Sequence, residues 1–291
     1  MTGMPAFGIP VRHFCLADTF QSAQPLTFYA RYDQDSGTLA YAEDRRALTV
    51  RFTGSRETGR LIVECDDVRF ARDAVANRFR LTDDMEHVYE RIGTDDFMRR
   101  AIRRYDGMRL TLNDPWETTL CFIISQFNNV KRIRGIVRRI VERFGEPVNG
   151  GGDASSMRFP SSADMMRATV KDLMVCGAGF RSKYIASAAD YCTNNLDLYK
   201  LVGKPYDELK EQLMTIDGVG DKVADCIALM GYGCLEAFPI DVWVKRTIER
   251  VYFRGRKITI RRLHDFAEER WDGMRGYAQQ YLFWAGMHYG R

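Results

Sequence analysis

The segment Ile216-Asp217-Gly218-Val219-Gly220-Asp221-Lys222-Val223-Ala224-Asp225-Cys226 constrains this chain more than any other. Two glycines bracket a valine between two stretches of helical spacing. Glycine supplies left-handed backbone at little cost, as a tight reversal between helices requires. It also lets N–H groups at the start of the second helix approach an anion closely. Leu213, Ile216, Val219, Val223, Ala224 and Ile227 place small and apolar anchors on both sides of the turn. The pattern predicts a helix–hairpin–helix that holds a phosphate of nucleic acid, with the amine of Lys222 at its edge. An ordinary helix–loop–helix corner is the competing reading, and the anchors weigh against it.

The rest of the chain narrows the class. Its 291 residues suffice for one large domain or two ordinary ones. A hydrophobic content of 45% with 12% aromatics supports a packed core rather than disorder. No apolar run is long enough to span a bilayer. Met1 to Phe14 lacks the charged start and apolar run of a secretory signal. Seven cysteines stand at 15, 65, 121, 176, 192, 226 and 234, none in a CxxC. That spacing argues against zinc ribbons and disulfide scaffolds and for a reduced, intracellular protein. Four histidines, at 13, 87, 264 and 288, show no metal-ligand spacing. Net charge is only +4, so bulk charge alone does not explain nucleic-acid binding. Lys131, Arg132, Arg134, Arg138, Arg139 and Arg143 do crowd one helical run, although a solvated face has the same look.

Residues 1–108 and 109–291 differ in pattern. The first part alternates at 47–52 and 60–65, with turns at Asp35-Ser36-Gly37 and Thr53-Gly54-Ser55. Helical stretches follow at 68–81 and 85–105. An antiparallel sheet with flanking helices fits this part. From Asn113 the pattern is helical. Asp114 can cap, Pro115 suits the first helical position, and Glu117 stands where a capping box wants it. Helices are predicted over 116–126, 129–144, 162–174, 180–193, 206–216, 222–230, 241–252 and 275–286, with a loop over 145–162. The fold class is α+β: an N-terminal antiparallel sheet domain, then an all-helical region with a cleft between its parts.

Several residues can carry chemistry. Lys222 and Cys226 are four apart and share a helical face. The partial positive charge of a helix N-terminus is expected to lower the Lys222 pKa, and a neutral amine is a Schiff-base nucleophile. Asp241 reads as a helix cap; a carboxylate near Lys222 also stabilises cationic sugar character. Gln279 and Phe283 are again four apart, so one face can present an amide and a ring. Taken alone, the pair is more simply explained by a surface Gln279 and a core Phe283.

The hairpin, Lys222 and Pro239-Ile240-Asp241-Val242 resemble the helix–hairpin–helix DNA glycosylases, with the lysine of the bifunctional members. The stretch from Val219 to Cys226 is similar to the signature of the 8-oxoguanine DNA glycosylases. The resemblance runs from Ser22 to Phe283 and is patchy in the N-terminal part. The iron–sulfur branch fits poorly, since no cysteine follows Cys234. The resemblance implies a soluble, DNA-associated monomer that excises 8-oxoguanine from duplex DNA, opposite cytosine, with no required cofactor. It implies Lys222 as nucleophile and Asp241 as its carboxylate partner. Cys226 and Phe283 would sandwich the flipped purine, Gln279 would read its edge, and Met230 would line the pocket. The carbonyl at Ala23, where the family usually has Gly, would accept the N7–H of 8-oxoguanine. Asn128, Asn129, Arg132, Phe180, Arg181, Gly218, Gly220 and Trp243 would face DNA. Phe180 would be the wedge, and Arg132 and Arg181 the pair that reads the orphaned cytosine. Phe127 stands where the family has an Asn that probes the vacated space, and Trp243 where close relatives have His. The carbonyls of Met214, Ile216 and Val219 would match a structural cation site. An alkylpurine glycosylase of the same fold and a non-catalytic helix–hairpin–helix DNA-binding protein are the alternatives.

Overall fold

The structure is a computed structural model and describes residues 4–148 and 154–288. Five strands form one antiparallel sheet: β1 (Ala6–Arg12), β2 (Arg31–Asp33), β3 (Thr38–Glu43), β4 (Arg46–Gly54) and β5 (Thr58–Glu64). Their spatial order is β1-β5-β4-β3-β2. Alternation decides which side faces inward. Leu48 and Val50 of β4 and Leu61 and Val63 of β5 are buried, and Val50 pairs with Val63. Two short helices interrupt the sheet between β1 and β2, α1 (Leu16–Gln21) and α2 (Pro25–Tyr29). The segment Ser22-Ala23-Gln24 lies between them. Neither helix was anticipated from the sequence, because five or six residues give too short a period to register.

Three helices follow the sheet: α3 (Val68–Arg78), α4 (Met85–Ile92) and α5 (Asp96–Arg104). The single helix expected over 85–105 is thus two. Asp95 ends the break by accepting from Met98 N and restarting the chain as α5. The central helix α6 (Pro115–Ser125) is capped as expected, with Asp114 accepting from the Trp116 and Glu117 amides. Glu117 makes no capping box. Its side chain is buried instead, accepting from Tyr29 Oη at 3.1 Å and facing the Arg78 guanidinium at 3.3 Å.

The basic run forms α7 (Val130–Phe144). The loop expected after it contains a two-residue strand pair, β6 (Glu146–Pro147) with β7 (Met157–Arg158); residues 149–153 of that loop lie outside the described residues. The helix expected over 162–174 divides into α8 (Ser162–Met165) and α9 (Val170–Val175), because Thr169 forms a second capping box with Asp172. Then come α10 (Arg181–Asn194), α11 (Tyr206–Leu213), α12 (Asp221–Tyr232), α13 (Val242–Tyr252), α14 (Ile260–Trp271) and α15 (Arg275–His288). Helix α14 lies outside the helices expected from the sequence, although Thr259 caps it.

Three packings place the site. Helix α12 lies against α6, α15 against α13, and α2 against both α6 and α7. The ends of the hairpin, the C-terminal helix and the α1–α2 turn therefore meet. One apolar cluster runs from Ile9 to Ala285, through both the sheet and the helical region. No helix among the described residues is long and apolar enough to cross a membrane.

Candidate active site

The hairpin spans 214–220, since α11 ends at Leu213, three residues earlier than expected. Only Gly218 needs the left-handed region, at φ +83. A Cβ there would also lie 2.8 Å from Tyr184 Cγ, so the turn is seated on that ring. Gly220 is different: its φ of −96 is ordinary and it serves as the N-cap of α12. A Cβ on Gly220 would meet nothing within 4 Å, so its value is an unobstructed approach to the helix N-terminus. Gln126 ties this turn to α6 by donating from Nε2 to the Gly218 carbonyl at 2.8 Å.

Lys222 follows in the first turn of α12 and enters a cleft of about 590 Å³. Sites that enclose small molecules commonly have ~300–1,000 Å³. Asp241, Cys226, Met230, Ala23, Gln279 and Phe283 line the same cleft. The structure thus brings together residues separated by 260 positions of sequence.

The expectation of a neutral Lys222 amine in the free protein does not hold. Burial pushes its pKa down, but the facing Cys226 thiol and Asp241 carboxylate outweigh burial, and the net direction is upward. The helix N-terminus is therefore overridden by nearer partners. The Lys222 ammonium also stands 5.5 Å over the Phe122 ring, a cation–π contact the sequence did not suggest. Asp241 accepts from the Trp243 and Val244 amides at 3.0 and 2.8 Å, as a cap does. Its burial raises the carboxyl pKa, against the two amides and Lys222, which favour the charged form. Burial likewise pushes the Cys226 thiol up to about 11, so it is a neutral, polarisable wall at pH 7.

Gln279 is 5% exposed, and its Oε1 is fully enclosed with no hydrogen-bond partner among the described residues. A buried amide oxygen without a donor is rare in a settled core. Its neighbour Gln280 was not singled out from the sequence. It donates from Nε2 to the Ser22 carbonyl at 2.8 Å and so fixes the Ser22-Ala23 segment to α15. Ala23 itself adopts φ +59, left-handed backbone in a residue with a Cβ, at the position where a Gly was expected. Gln24 anchors the other side of the turn, donating to the Arg109 carbonyl and accepting from the Thr111 amide.

The residues expected to face DNA divide into three groups. Phe127, Phe180, Arg132 and Trp243 are exposed around the cleft. Asn128 and Asn129 are engaged locally: Asn128 donates to the Ile124 carbonyl, and Asn129 caps α7 by accepting from Arg132 N. Arg181 is buried. Its guanidinium donates to the carbonyls of Gln126, Phe127 and Ala178. Two arginines of the basic helix are likewise engaged within the chain. Arg139 donates to the Cys176 carbonyl and Arg143 pairs with Asp172.

Two further features bear on cations and ligands. Asp221, Asp225 and His264 offer ligand atoms within 4.8 Å of one another, a grouping hidden in the sequence. Lys210 Nζ already lies 2.8 Å from each carboxylate and supplies the positive charge there. A second cleft of about 500 Å³ opens beside Arg78, Glu117 and Asp114, whose charges are mostly met within the fold. In the hairpin, the Ile216 carbonyl accepts from Val219 N at 2.9 Å, which uses one of its two lone pairs.

Residues 120–272 match the HhH-GPD superfamily of base excision DNA repair proteins. This chain belongs to that superfamily. The matched span of this HhH-GPD protein contains the hairpin, Lys222 and Asp241. A probable N-glycosylase/DNA lyase of Methanothermobacter thermautotrophicus is 31% identical over 232 residues, 73% of each chain. Among solved structures, MBOgg1 with a low-affinity DNA ligand superposes with TM-score 0.88 at 32% identity, over 98% of this chain and 96% of that one. The 8-oxoguanine glycosylase/lyase of Clostridium acetobutylicum, bound to duplex DNA with cytosine opposite 8-oxoguanine, gives TM-score 0.88 at 25% identity over the full length of both chains.

Proposed function

We propose that this HhH-GPD protein is a bifunctional DNA glycosylase/AP lyase that excises 8-oxoguanine from duplex DNA. The observation that carries this is one cleft lined by Lys222, Asp241, Cys226, Gln279 and Phe283. A lysine and a carboxylate are the tools for breaking a glycosidic bond and keeping the sugar on the enzyme.

The damaged nucleotide leaves the duplex at a cost of a few kcal/mol. Its base enters between Cys226 and Phe283, with Met230 at the pocket wall. Gln279 takes its hydrogen bonds from the Watson–Crick edge, and the Ala23 carbonyl accepts the N7–H that guanine lacks. The Lys222 ammonium first sheds a proton. The amine then bonds to C1′ as the C1′–N9 bond breaks, and the leaving purine takes up a proton. Asp241 offsets positive charge on the sugar during that displacement. Ring opening converts the adduct to a Schiff base, and loss of a C2′ proton expels the 3′ phosphate. Gly218 and Gly220 present the hairpin amides to a backbone phosphate. Trp243, Arg132, Asn128 and Asn129 line the DNA-facing rim, and Phe180 enters the stack. The carbonyls of Met214, Ile216 and Val219 would hold a structural cation, which would supply positive charge beside a DNA phosphate. The protein acts as a monomer on intracellular DNA.

Sodium borohydride reduces a Schiff base to a stable crosslink. The reading expects such a crosslink on 8-oxoguanine duplexes, absent on 3-methyladenine duplexes and absent in Lys222→Gln. That variant should still bind DNA carrying an abasic analogue. Trapping that survives Lys222→Gln would assign the nucleophile elsewhere, and excision of 3-methyladenine alone would assign a different substrate.

A further inference from the structure

The position of Phe127 is costly for a folded chain, and three observations explain why it persists. Its ring is 94% exposed, the most open of the large apolar side chains here. Its backbone is left-handed at φ +47, a conformation that residues with a Cβ avoid. The guanidinium of Arg181, itself only 2% exposed, is spent on holding that conformation. Arg181 Nε donates to the Gln126 carbonyl at 2.8 Å, and Nη2 donates to the Phe127 carbonyl at 3.1 Å. A buried arginine thus braces an aromatic ring in water, at the lip of the catalytic cleft.

The ring is not isolated. Phe127 and Phe180 have centroids 6.5 Å apart, and Phe180 and Tyr184 follow at 6.4 Å. Tyr184 in turn carries Gly218 of the hairpin. A row of three exposed rings therefore leads from the cleft to the phosphate-holding turn. Bases stack on such rings whatever their sequence, because every base has an aromatic face.

We propose that Phe127 and Phe180 form a two-ring wedge in which Phe127 fills the stack vacated by the flipped nucleotide, and that Arg181 is a positioning residue for Phe127 rather than a reader of the opposite base. This rests on the glycosylase reading above. The Phe127 ring offers no hydrogen bond to an orphaned base, and four of the five donors of Arg181 are already committed. Of the two arginines expected to read that base, Arg132 remains exposed. The base opposite the lesion is consequently held by stacking and is selected weakly.

The test measures binding to duplexes carrying a tetrahydrofuran abasic analogue opposite each of the four bases. No base is excised, so the result does not depend on which lesion the enzyme removes. Wild type is expected to bind all four within roughly fivefold, the low end of what one base stack contributes. Phe127→Ala should weaken all four by roughly fivefold or more by the same measure, and Phe127→Asn should widen the spread among them. Thermal melting of Phe127→Ala should match wild type, since the ring buries nothing. Arg181→Lys should reproduce the uniform loss of Phe127→Ala. A larger spread in wild type, an unaltered affinity in Phe127→Ala, or a loss confined to cytosine in Arg181→Lys would overturn the proposal. Failure to excise 8-oxoguanine with this binding pattern intact would overturn only the substrate assignment.

Discussion

Gln279→Met separates what the free protein needs from what the ligand needs. The Gln279 side chain is nearly fully buried, and its Oε1 finds no donor. A buried amide acceptor left unpaired costs about 1–3 kcal/mol. Methionine has similar length and volume, and such swaps typically cost under ~1.5 kcal/mol. Removing the orphan acceptor should therefore stabilise the free protein by roughly 1–2 kcal/mol. Unfolding entropy of about 2.1 cal/mol/K per residue gives ~0.6 kcal/mol/K for 291 residues. The expected rise in Tm is then about 2–3 °C by calorimetry. The same substitution removes base-edge contacts worth roughly 1–3 kcal/mol of discrimination. Single-turnover excision of 8-oxoguanine relative to guanine should fall by a corresponding ~5- to 150-fold. A variant that is more stable and less selective fits a site held ready for a ligand. Should Tm stay level or drop, the orphan acceptor is no burden and the argument from it fails. Should selectivity stay level, Gln279 does not read the base.

Two other perturbations test the electrostatics. Asp241→Asn keeps an acceptor for the Trp243 and Val244 amides but removes a charge that raises the Lys222 pKa. Excision of intact 8-oxoguanine should drop by about 10²–10³-fold, as for other lost transition-state charges. Nicking of preformed abasic sites should instead shift to lower pH, because the amine deprotonates sooner; equal losses in both assays would refute the division. Glu117 concerns stability. Burial pushes its carboxyl from 4.5 up to about 7, so the folded state binds this proton more tightly than the unfolded one. Stability from this group is full below pH 4.5 and falls as pH rises to 7, by on the order of 3 kcal/mol. Denaturant titrations of Glu117→Gln should lack that slope relative to wild type. Parallel profiles would exclude Glu117 as the titrating group.

The hairpin could be read from the sequence because its signal is local. Glycines, anchors and lysine all fall within a dozen residues, and the spacing alone dictates the turn. Asp114 and Asp241 were equally readable, since a cap is an interaction over two or three residues. The pairing of Ser22 with Gln280 was not. It joins positions 22 and 280 through a side-chain donor and a backbone carbonyl, and a carbonyl leaves no mark in a sequence. Arg181 failed to conform for the same reason: the groups it serves are the carbonyls of Gln126 and Phe127. The Lys222 pKa was anticipated in the wrong direction because the helix end is local while Asp241 is not. Sequence proximity favoured the weaker effect.

Three of the local costs in this fold lie at the cleft, and others lie away from it. Ala23 and Phe127 both occupy left-handed backbone, and both line the cleft. Each is held by a buried side chain from a distant element, Gln280 for the Ala23 turn and Arg181 for Phe127. The unpaired Gln279 oxygen lies beside Gln280 on α15. A chain selected only for stability would relax all three, since each has a simple remedy: glycine at 23, a polar residue at 127, an apolar one at 279. Strain at a cleft that is supported from outside it fits preorganisation for a ligand that compensates on binding. The supports lie one residue from the strained groups or across a helix from them. Losing a support should therefore impair ligand recognition before it impairs folding, the reverse of what an ordinary core residue does.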